Sequence, residues 1–197
     1  MPGQNSNQVV AVSNWNVPNA LTVTRILLAV VLFGALECHQ YCAALILFIL
    51  AAGTDWVDGW WARKYNQCTV FGRIMDPFAD KLVVCGTLIY LAAVPELLAV
   101  RFGLAVWMVV VIIARELLIT TLRAFLEQQG RDFSAKWIGK WKMGLQCVAI
   151  PACLLWLMMG ETKPDWLYGV MVVTLWGTVA ITVYSGIVYV IAAIKMK

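Results

Sequence analysis

Four aspartates lie within 26 residues in one of the most apolar parts of the chain. Asp55 and Asp58 are three positions apart, and Asp76 and Asp80 are four positions apart. Residues at these spacings share one face of a helix. Charged side chains in apolar membrane segments are costly and usually mark functional sites. Because four carboxylates brought together there need cations to neutralise them, the spacing predicts a metal site.

The types of ligand indicate which metals this site would bind. Carboxylate oxygens without histidine or cysteine favour hard cations such as Mg²⁺, Mn²⁺ and Ca²⁺. Two cations bridged by aspartates would polarise a phosphoryl oxygen and stabilise a leaving phosphate, and a further aspartate could serve as general base. The single histidine, His39, is interpreted as an exposed loop residue on the opposite side, so zinc has little support.

An alternative interpretation is that the aspartates line the ion pathway of a transporter. A single DxxD pair would leave the two interpretations equally open. The longer pattern is DxxDGxxAR, eight further residues, and GxxxDxxxD. It lies at the predicted inner edge of the membrane, where soluble nucleotides and lipid head groups meet, and this position favours chemistry over transport.

The composition predicts a membrane protein rather than a water-soluble domain. Hydrophobic residues make up 62% of the 197 residues and charged residues 13%, and several apolar runs reach the roughly 20 residues that cross a bilayer. We therefore expect an all-α integral membrane protein in which a polar N-terminal segment, residues 1–16, precedes one catalytic domain, residues 17–197. Its six transmembrane helices are predicted at residues 20–37, 41–60, 77–95, 102–127, 137–159 and 166–194.

The basic residues predict the orientation of these helices, because cytoplasmic loops carry an excess of Lys and Arg. With both termini in the cytoplasm, Arg101 and Lys163 fall on the outer side and Arg115 lies within the fourth span. The other twelve of the fifteen basic residues then fall at or near the cytoplasmic side: Arg25, Arg63, Lys64, Arg73, Lys81, Arg123, Arg131, Lys136, Lys140, Lys142, Lys195 and Lys197. The aspartates are thus predicted to face the cytoplasm.

The six cysteines show no spacing typical of a disulfide framework. Cys38 and Cys42 lie near the outer end of the first predicted hairpin and could pair if oxidised. Without a partner motif, we interpret them as ordinary small hydrophobic residues.

The aspartate pattern resembles the signature of the CDP-alcohol phosphatidyltransferases, integral membrane enzymes with six helices that are commonly dimeric. The matching positions are Asp55, Asp58, Gly59, Ala62, Arg63, Gly72, Asp76 and Asp80. The resemblance implies that Asp55, Asp58 and Asp76 ligate two divalent cations, Mg²⁺ or Mn²⁺. It also implies that Asp80 is a further ligand or the general base.

The same resemblance implies that CDP-diacylglycerol is the donor substrate. Glycine at position 59 would let the CDP moiety approach closely, because it has no side chain to obstruct it. The guanidinium of Arg63 would match phosphate oxygens. The full set of implied CDP-diacylglycerol contacts is Asn19, Thr22, Gly59, Arg63, Thr69 and Gly72.

Further motifs resemble family members whose acceptor is glycerol 3-phosphate. They are P18-N-A-L-T-V-T-R25, D76-P-F-A-D80-K-L, A114-R-E-L-L-I-T-T-L-R123 and S134-A-K-W-I-G-K-W-K142. On a helix, Glu116, Thr120 and Arg123 fall on nearly one face, which Arg115 flanks. A phosphate-bearing acceptor needs cationic donors near lipid. The candidates are Arg115, Arg123, Lys136, Lys140 and Lys142; for the three lysines a role as topology anchors is equally open.

These observations together predict an enzyme of the bacterial inner membrane whose active site faces the cytoplasm. It would transfer a phosphatidyl group from CDP-diacylglycerol to glycerol 3-phosphate and release CMP, with Asp80 as base. A homodimer is expected, and no nucleic-acid partner. The alternatives are the same transfer to inositol, inositol phosphate or phosphatidylglycerol, an intramembrane prenyltransferase, or a divalent-cation transporter.

Overall fold

The computed structural model of the protein describes residues 17–65, 70–128, 136–160 and 162–195, and the side chains of residues 19–54, 75–122, 142–160 and 162–191. Over these residues the chain is helical, with six long helices and one short helix. They are α1 (Val17–Glu37), α2 (Tyr41–Tyr65), α3 (Val70–Ala92), α4 (Pro95–Leu98), α5 (Val106–Gln128), α6 (Lys136–Met158) and α7 (Asp165–Lys195). The polar segment predicted at residues 1–16 lies outside the described residues.

Each predicted span corresponds to one long helix, but the prediction for the third helix was wrong at its start. The third span was predicted to begin at residue 77, which would place Pro77 in the first turn of its helix. Instead, α2 continues to Tyr65 and α3 begins by Val70, so that Pro77 lies inside α3. A proline inside a helix removes one backbone hydrogen bond, and membrane helices contain proline more often than soluble ones.

The short helix α4 was not predicted, and it explains why the third long helix ends before residue 95. Helix α3 ends at Ala92, and Pro95 then occupies the first position of α4. Proline suits this position because its fixed φ is helical and the missing amide would have no partner there. The chain reaches α5 through a turn in which Phe102 has a φ of 60°.

The turn between α1 and α2 is closed by backbone hydrogen bonds around His39. The amide of Gln40 donates to the carbonyl of Ala35 at 2.8 Å, and the amide of His39 donates to that of Leu36 at 3.0 Å. This is a Schellman ending, whose penultimate residue is left-handed, and His39 has a φ of 55°. His39, Cys38 and Cys42 are all exposed, and both cysteines are free thiols.

The surface of the helices is apolar to a degree that suits lipid rather than water. Side chains such as Val173 (69% exposed) and Leu27 (61% exposed) point away from the protein. Large exposed apolar surfaces on a soluble monomer are rare. Among the described residues, two segments are long and apolar enough to cross a membrane, Asn19–Glu37 and Asp165–Ile191. The other long helices carry more charges, including those of the aspartate motif.

The helices pack so that α1 and α3 lie side by side close to α2. Helix α1 contacts both α2 and α3, α2 also contacts α6, and α7 packs against α5 and α6. One buried core runs through these contacts and includes Leu32, Phe48 and Ile150. The packing therefore brings the polar ends of α1 and α3 together, and it places α7 against both α5 and α6.

The close approach of α1 and α3 depends on Gly86. A methyl group at this position would overlap with Cζ of Phe33, whose ring stacks on Tyr90 with centroids 5.4 Å apart. We expect Gly86→Ala to destabilise the protein by about 1–3 kcal/mol through overpacking, measured by thermal unfolding in detergent micelles. Gly34→Ala is the matched control, because a methyl group there meets nothing within 4 Å. Equal melting temperatures for both variants would contradict the expectation.

Candidate active site

The first helix carries three buried polar residues at helical spacing. Asn19, Thr22 and Arg25 follow one another every three residues and are 4%, 0% and 1% exposed. The same face continues along α1 with buried apolar residues, namely Ala29, Leu32 and Leu36. The polar part of this stripe lies at the start of α1 and faces α3, because its partners are on that helix.

These partners are the two aspartates of α3. Thr22 Oγ1 donates a hydrogen bond to Asp76 Oδ1. Arg25 Nη1 donates to Asp80 Oδ1 over 2.5 Å and forms an ion pair with it. The Asp80 side chain remains 33% exposed, so α1 holds this carboxylate in place while leaving it accessible.

The aspartates of α2 and α3 lie at matching distances from the facing ends of their helices. Asp58 is seven residues before the end of α2 and Asp76 is six residues after the start of α3; Asp55 and Asp80 are each ten residues from these ends. With a rise of about 1.5 Å per residue, the members of each pair are nearly equally far along their helices from these ends. The side chains of Asp55 and Asp58 lie outside the described residues.

The donor set of this region suits hard divalent cations. Asp76 and Asp80 offer carboxylate oxygens, and both are half-buried rather than fully solvated. Among the side chains that the structure describes, no three His, Cys, Asp or Glu residues form a group. The two described aspartates, with Asp55 and Asp58 at matching distances along α2, fit Mg²⁺ or Mn²⁺, because these metals prefer oxygen ligands.

The residues predicted to contact CDP-diacylglycerol are divided between three helices. Asn19 and Thr22 are buried on α1 beside α3. Gly59 and Arg63 belong to the last turns of α2, and Gly72 to the first turn of α3. The side chains of these α2 and α3 residues, and all of Thr69, lie outside the described residues. The helix positions therefore surround the aspartates, while the contacts stay predictions.

A second buried polar cluster joins α5, α6 and α7. Glu116 Oε1 accepts a hydrogen bond from Arg115 Nη1 at 3.0 Å and also pairs with Lys142 Nζ. Arg115 Nε donates to Ser185 Oγ at 3.0 Å, and its guanidinium carbon lies 5.8 Å from the centre of the Tyr189 ring. Arg115 and Lys142 are buried, at 9% and 6% exposure.

The burial of Lys142 bears on whether the predicted lysines bind the acceptor phosphate or only anchor the topology. A lysine that only marked the cytoplasmic side would extend into solvent, whereas Lys142 is paired inside the helix bundle. Thr120, predicted on the face of Glu116, is exposed, and its hydroxyl donates to the backbone carbonyl of Glu116. The helical positions of Arg123, Lys136 and Lys140 are described, but their side chains lie outside the described residues.

Three residues of these clusters were not predicted to be parts of a site. Arg25 was interpreted as a topology marker and as part of a family motif, although its spacing from Asn19 and Thr22 could have placed it on their face. Ser185 and Tyr189 lie in α7, whose sequence is mainly apolar. Their contacts with Arg115 depend on which helix packs beside α5, and the sequence does not indicate this.

Comparison with known proteins gives a consistent result. The family model described as CDP-alcohol phosphatidyltransferase matches residues 15–184. The chain is 39% identical over 188 residues to the CDP-diacylglycerol–glycerol-3-phosphate 3-phosphatidyltransferase of Bacillus subtilis (strain 168), covering 87% of this chain and 92% of that protein. It is 37% identical over 151 residues to the protein of the same name from Escherichia coli (strain K12), covering 72% and 78%. The Shigella flexneri serotype 5b protein of this name is 34% identical over 189 residues, covering 91% and 95%.

Proposed function

Because the chain belongs to the CDP-alcohol phosphatidyltransferase family, we propose that it transfers a phosphatidyl group from CDP-diacylglycerol to the primary hydroxyl of sn-glycerol 3-phosphate. The products are phosphatidylglycerol phosphate and CMP. The observation that carries the proposal is the set of relatives named for this reaction, which align with most of the chain. The pairing of Asp76 and Asp80 with α1 supports a location of the proposed reaction at the contact between α1 and α3.

Divalent cations are part of this proposal. Two ions, Mg²⁺ or Mn²⁺, would be held by Asp55, Asp58, Asp76 and Asp80 and would supply neutralisation of the pyrophosphate and polarisation of the reacting phosphoryl group. Thr22 orients Asp76 through the hydrogen bond to its Oδ1. The matching positions of the four aspartates along α2 and α3 support their convergence.

Asp80 is proposed as the general base. Its carboxylate takes the proton of the acceptor hydroxyl as the hydroxyl oxygen attacks the phosphorus that carries diacylglycerol. The new phosphorus–oxygen bond forms as the bond to CMP breaks, and CMP leaves with the bonding electron pair, as in an in-line displacement. Arg25 fixes the Asp80 side chain through its Oδ1. Fixing a base in one rotamer lowers the entropy that must be lost on reaching the transition state.

The two substrates would meet around this carboxylate. For CDP-diacylglycerol we propose contacts with Asn19, Thr22, Gly59, Arg63, Thr69 and Gly72. For the phosphate of the acceptor we propose Arg115 and Lys142, whose buried positive charges suit an anion near lipid, together with Arg123, Lys136 and Lys140. An acceptor with a phosphate at one end and a reactive hydroxyl at the other would place its phosphate at these cations and its hydroxyl at Asp80.

We also propose that all six long helices cross the bacterial inner membrane, with both termini and the aspartates on the cytoplasmic side, and that the protein is a homodimer. The excess of basic residues near the ends predicted to be cytoplasmic supports this orientation. The exposed apolar side chains on α1, α5 and α7 support contact with lipid.

The proposed function is tested by offering the purified protein CDP-diacylglycerol with one acceptor at a time. Release of CMP is measured with glycerol 3-phosphate, inositol, inositol phosphate and phosphatidylglycerol, in Mg²⁺ or Mn²⁺ and after chelation. CMP release with glycerol 3-phosphate and added metal is the expected result. Release with another acceptor only would reassign the substrate, and uptake of metal into liposomes without CMP release would favour a transporter.

A further inference from the structure

The buried cluster of α5, α6 and α7 contains a carboxylate to which the proposed reaction assigns no role. Glu116 is half-buried, and its Oε1 atom contacts both Arg115 Nη1 and Lys142 Nζ. One oxygen atom thus joins two cations that come from different helices.

The two cations would repel each other without this carboxylate. Arg115 and Lys81 both lie close enough to Lys142 to act against its positive charge. Charges buried in a protein interact far more strongly than charges in water, and a buried charge that loses its partner is strongly destabilising. Glu116 therefore offsets the repulsion and holds Lys142 beside Arg115.

The charges that remain suit an anion. Within the described cluster, Arg115 and Lys142 contribute two positive charges and Glu116 one negative charge. Two buried cations held side by side near lipid favour a phosphate as their ligand. Glu116 itself repels a phosphate, so any effect it has on phosphate binding must act through the cations.

We propose that Glu116 is a positioning residue, which holds Arg115 and Lys142 together as a preformed site for the phosphate group of the acceptor. This inference rests on the proposed function, because it takes the acceptor to be a phosphorylated alcohol. Ser185 completes the arrangement by accepting a hydrogen bond from Arg115 Nε, which fixes the plane of the guanidinium. A site organised before binding gains affinity because less freedom is lost when the ligand arrives.

The test compares Glu116→Gln with the wild-type protein in the CMP-release assay. Glutamine keeps the shape and the acceptor oxygen but removes the charge. We expect the KM for glycerol 3-phosphate to rise about 10-fold, and the inhibition constant of inorganic phosphate to rise by the same factor. The KM for CDP-diacylglycerol should change by less than about 2-fold. Glu96→Gln is the matched control, because Glu96 is exposed on α4, and it should leave all three constants unchanged.

A double-mutant cycle with Lys142→Met separates positioning from direct contact. If Glu116 acts through Lys142, then adding Glu116→Gln to the Lys142→Met protein should change the acceptor KM little further. Glu116→Asp, which keeps the charge on a shorter side chain, should give an intermediate KM. If Glu116→Gln does not fold, Glu116→Asp replaces it in the test.

Three results would overturn the inference. They are an acceptor KM that stays the same or falls in Glu116→Gln, an equal rise in the KM for CDP-diacylglycerol, and independent effects of the two substitutions in the cycle. Failure of the proposed function looks different, because the wild-type protein would then release no CMP with glycerol 3-phosphate.

Discussion

Asp80→Asn is expected to lower the rate of CMP release about 1,000-fold while leaving binding of CDP-diacylglycerol measurable. The reason is that an amide cannot take a proton from the acceptor hydroxyl, and general bases typically contribute about 10²- to 10⁴-fold to a rate. Asparagine keeps an oxygen that can accept the hydrogen bond from Arg25 Nη1, which now contacts Asp80 Oδ1. The substitution therefore removes charge and basicity with little change of shape.

The measurements are the single-turnover rate of CMP release and the equilibrium binding of CDP-diacylglycerol in micelles. Asp165→Asn is a suitable control, because Asp165 is an exposed residue at the start of α7. Full turnover by Asp80→Asn would remove Asp80 from the reaction as a base. Loss of CDP-diacylglycerol binding would instead assign Asp80 to donor binding.

Arg25→Met is expected to lower kcat about 100-fold, although the proposed reaction gives Arg25 no contact with the transferred group. The ion pair with Asp80 is the reason: Arg25 is 1% exposed and Asp80 33%, and a hydrogen bond between charged groups is worth about 1.5–3 kcal/mol. Methionine fills similar space in the α1–α3 contact but leaves the carboxylate free to change rotamer. Loss of the pair should therefore affect turnover through the position of the base.

Three comparisons make this expectation specific to the ion pair. Arg25→Lys should restore only part of the rate, because an ammonium group lacks the planar fork of a guanidinium. Arg101→Met, which removes an exposed arginine near the predicted outer side, should leave the rate unchanged. The effect should also be much smaller when Arg25→Met is added to Asp80→Asn, since the two residues are in contact. A wild-type rate in Arg25→Met would show that Asp80 needs no partner on α1.

The long helices could be predicted because the bilayer imposes a simple rule on the sequence of a helix that crosses it. A helix that crosses the apolar region needs about 20 apolar residues, and six runs of about this length are visible in the chain. The start of α3 was harder to predict, because Pro77 suggested a helix beginning whereas it lies inside a helix. A local preference for proline in first turns is weak where the neighbouring helices stabilise a longer helix.

The aspartates could be identified because their types and spacing are unusual in an apolar context, whereas their partners could not. That Arg25 pairs with Asp80, or Ser185 with Arg115, depends on which helices are neighbours, and these pairs are 55 and 70 residues apart. Hydrophobic runs of similar length do not say which of them pack together. The sequence indicated Arg115 and Lys142 as candidates for binding the acceptor phosphate, and the fold adds that one carboxylate contacts both of them.

The pairing of the first helix with the third has a consequence for how the protein is made. Arg25 belongs to a helix that leaves the ribosome before the helix that carries Asp80. In the proposed topology, the guanidinium would stay in contact with water or lipid phosphates at the membrane surface until α3 is inserted. Formation of this ion pair would then allow α1 to reach its final depth in the membrane.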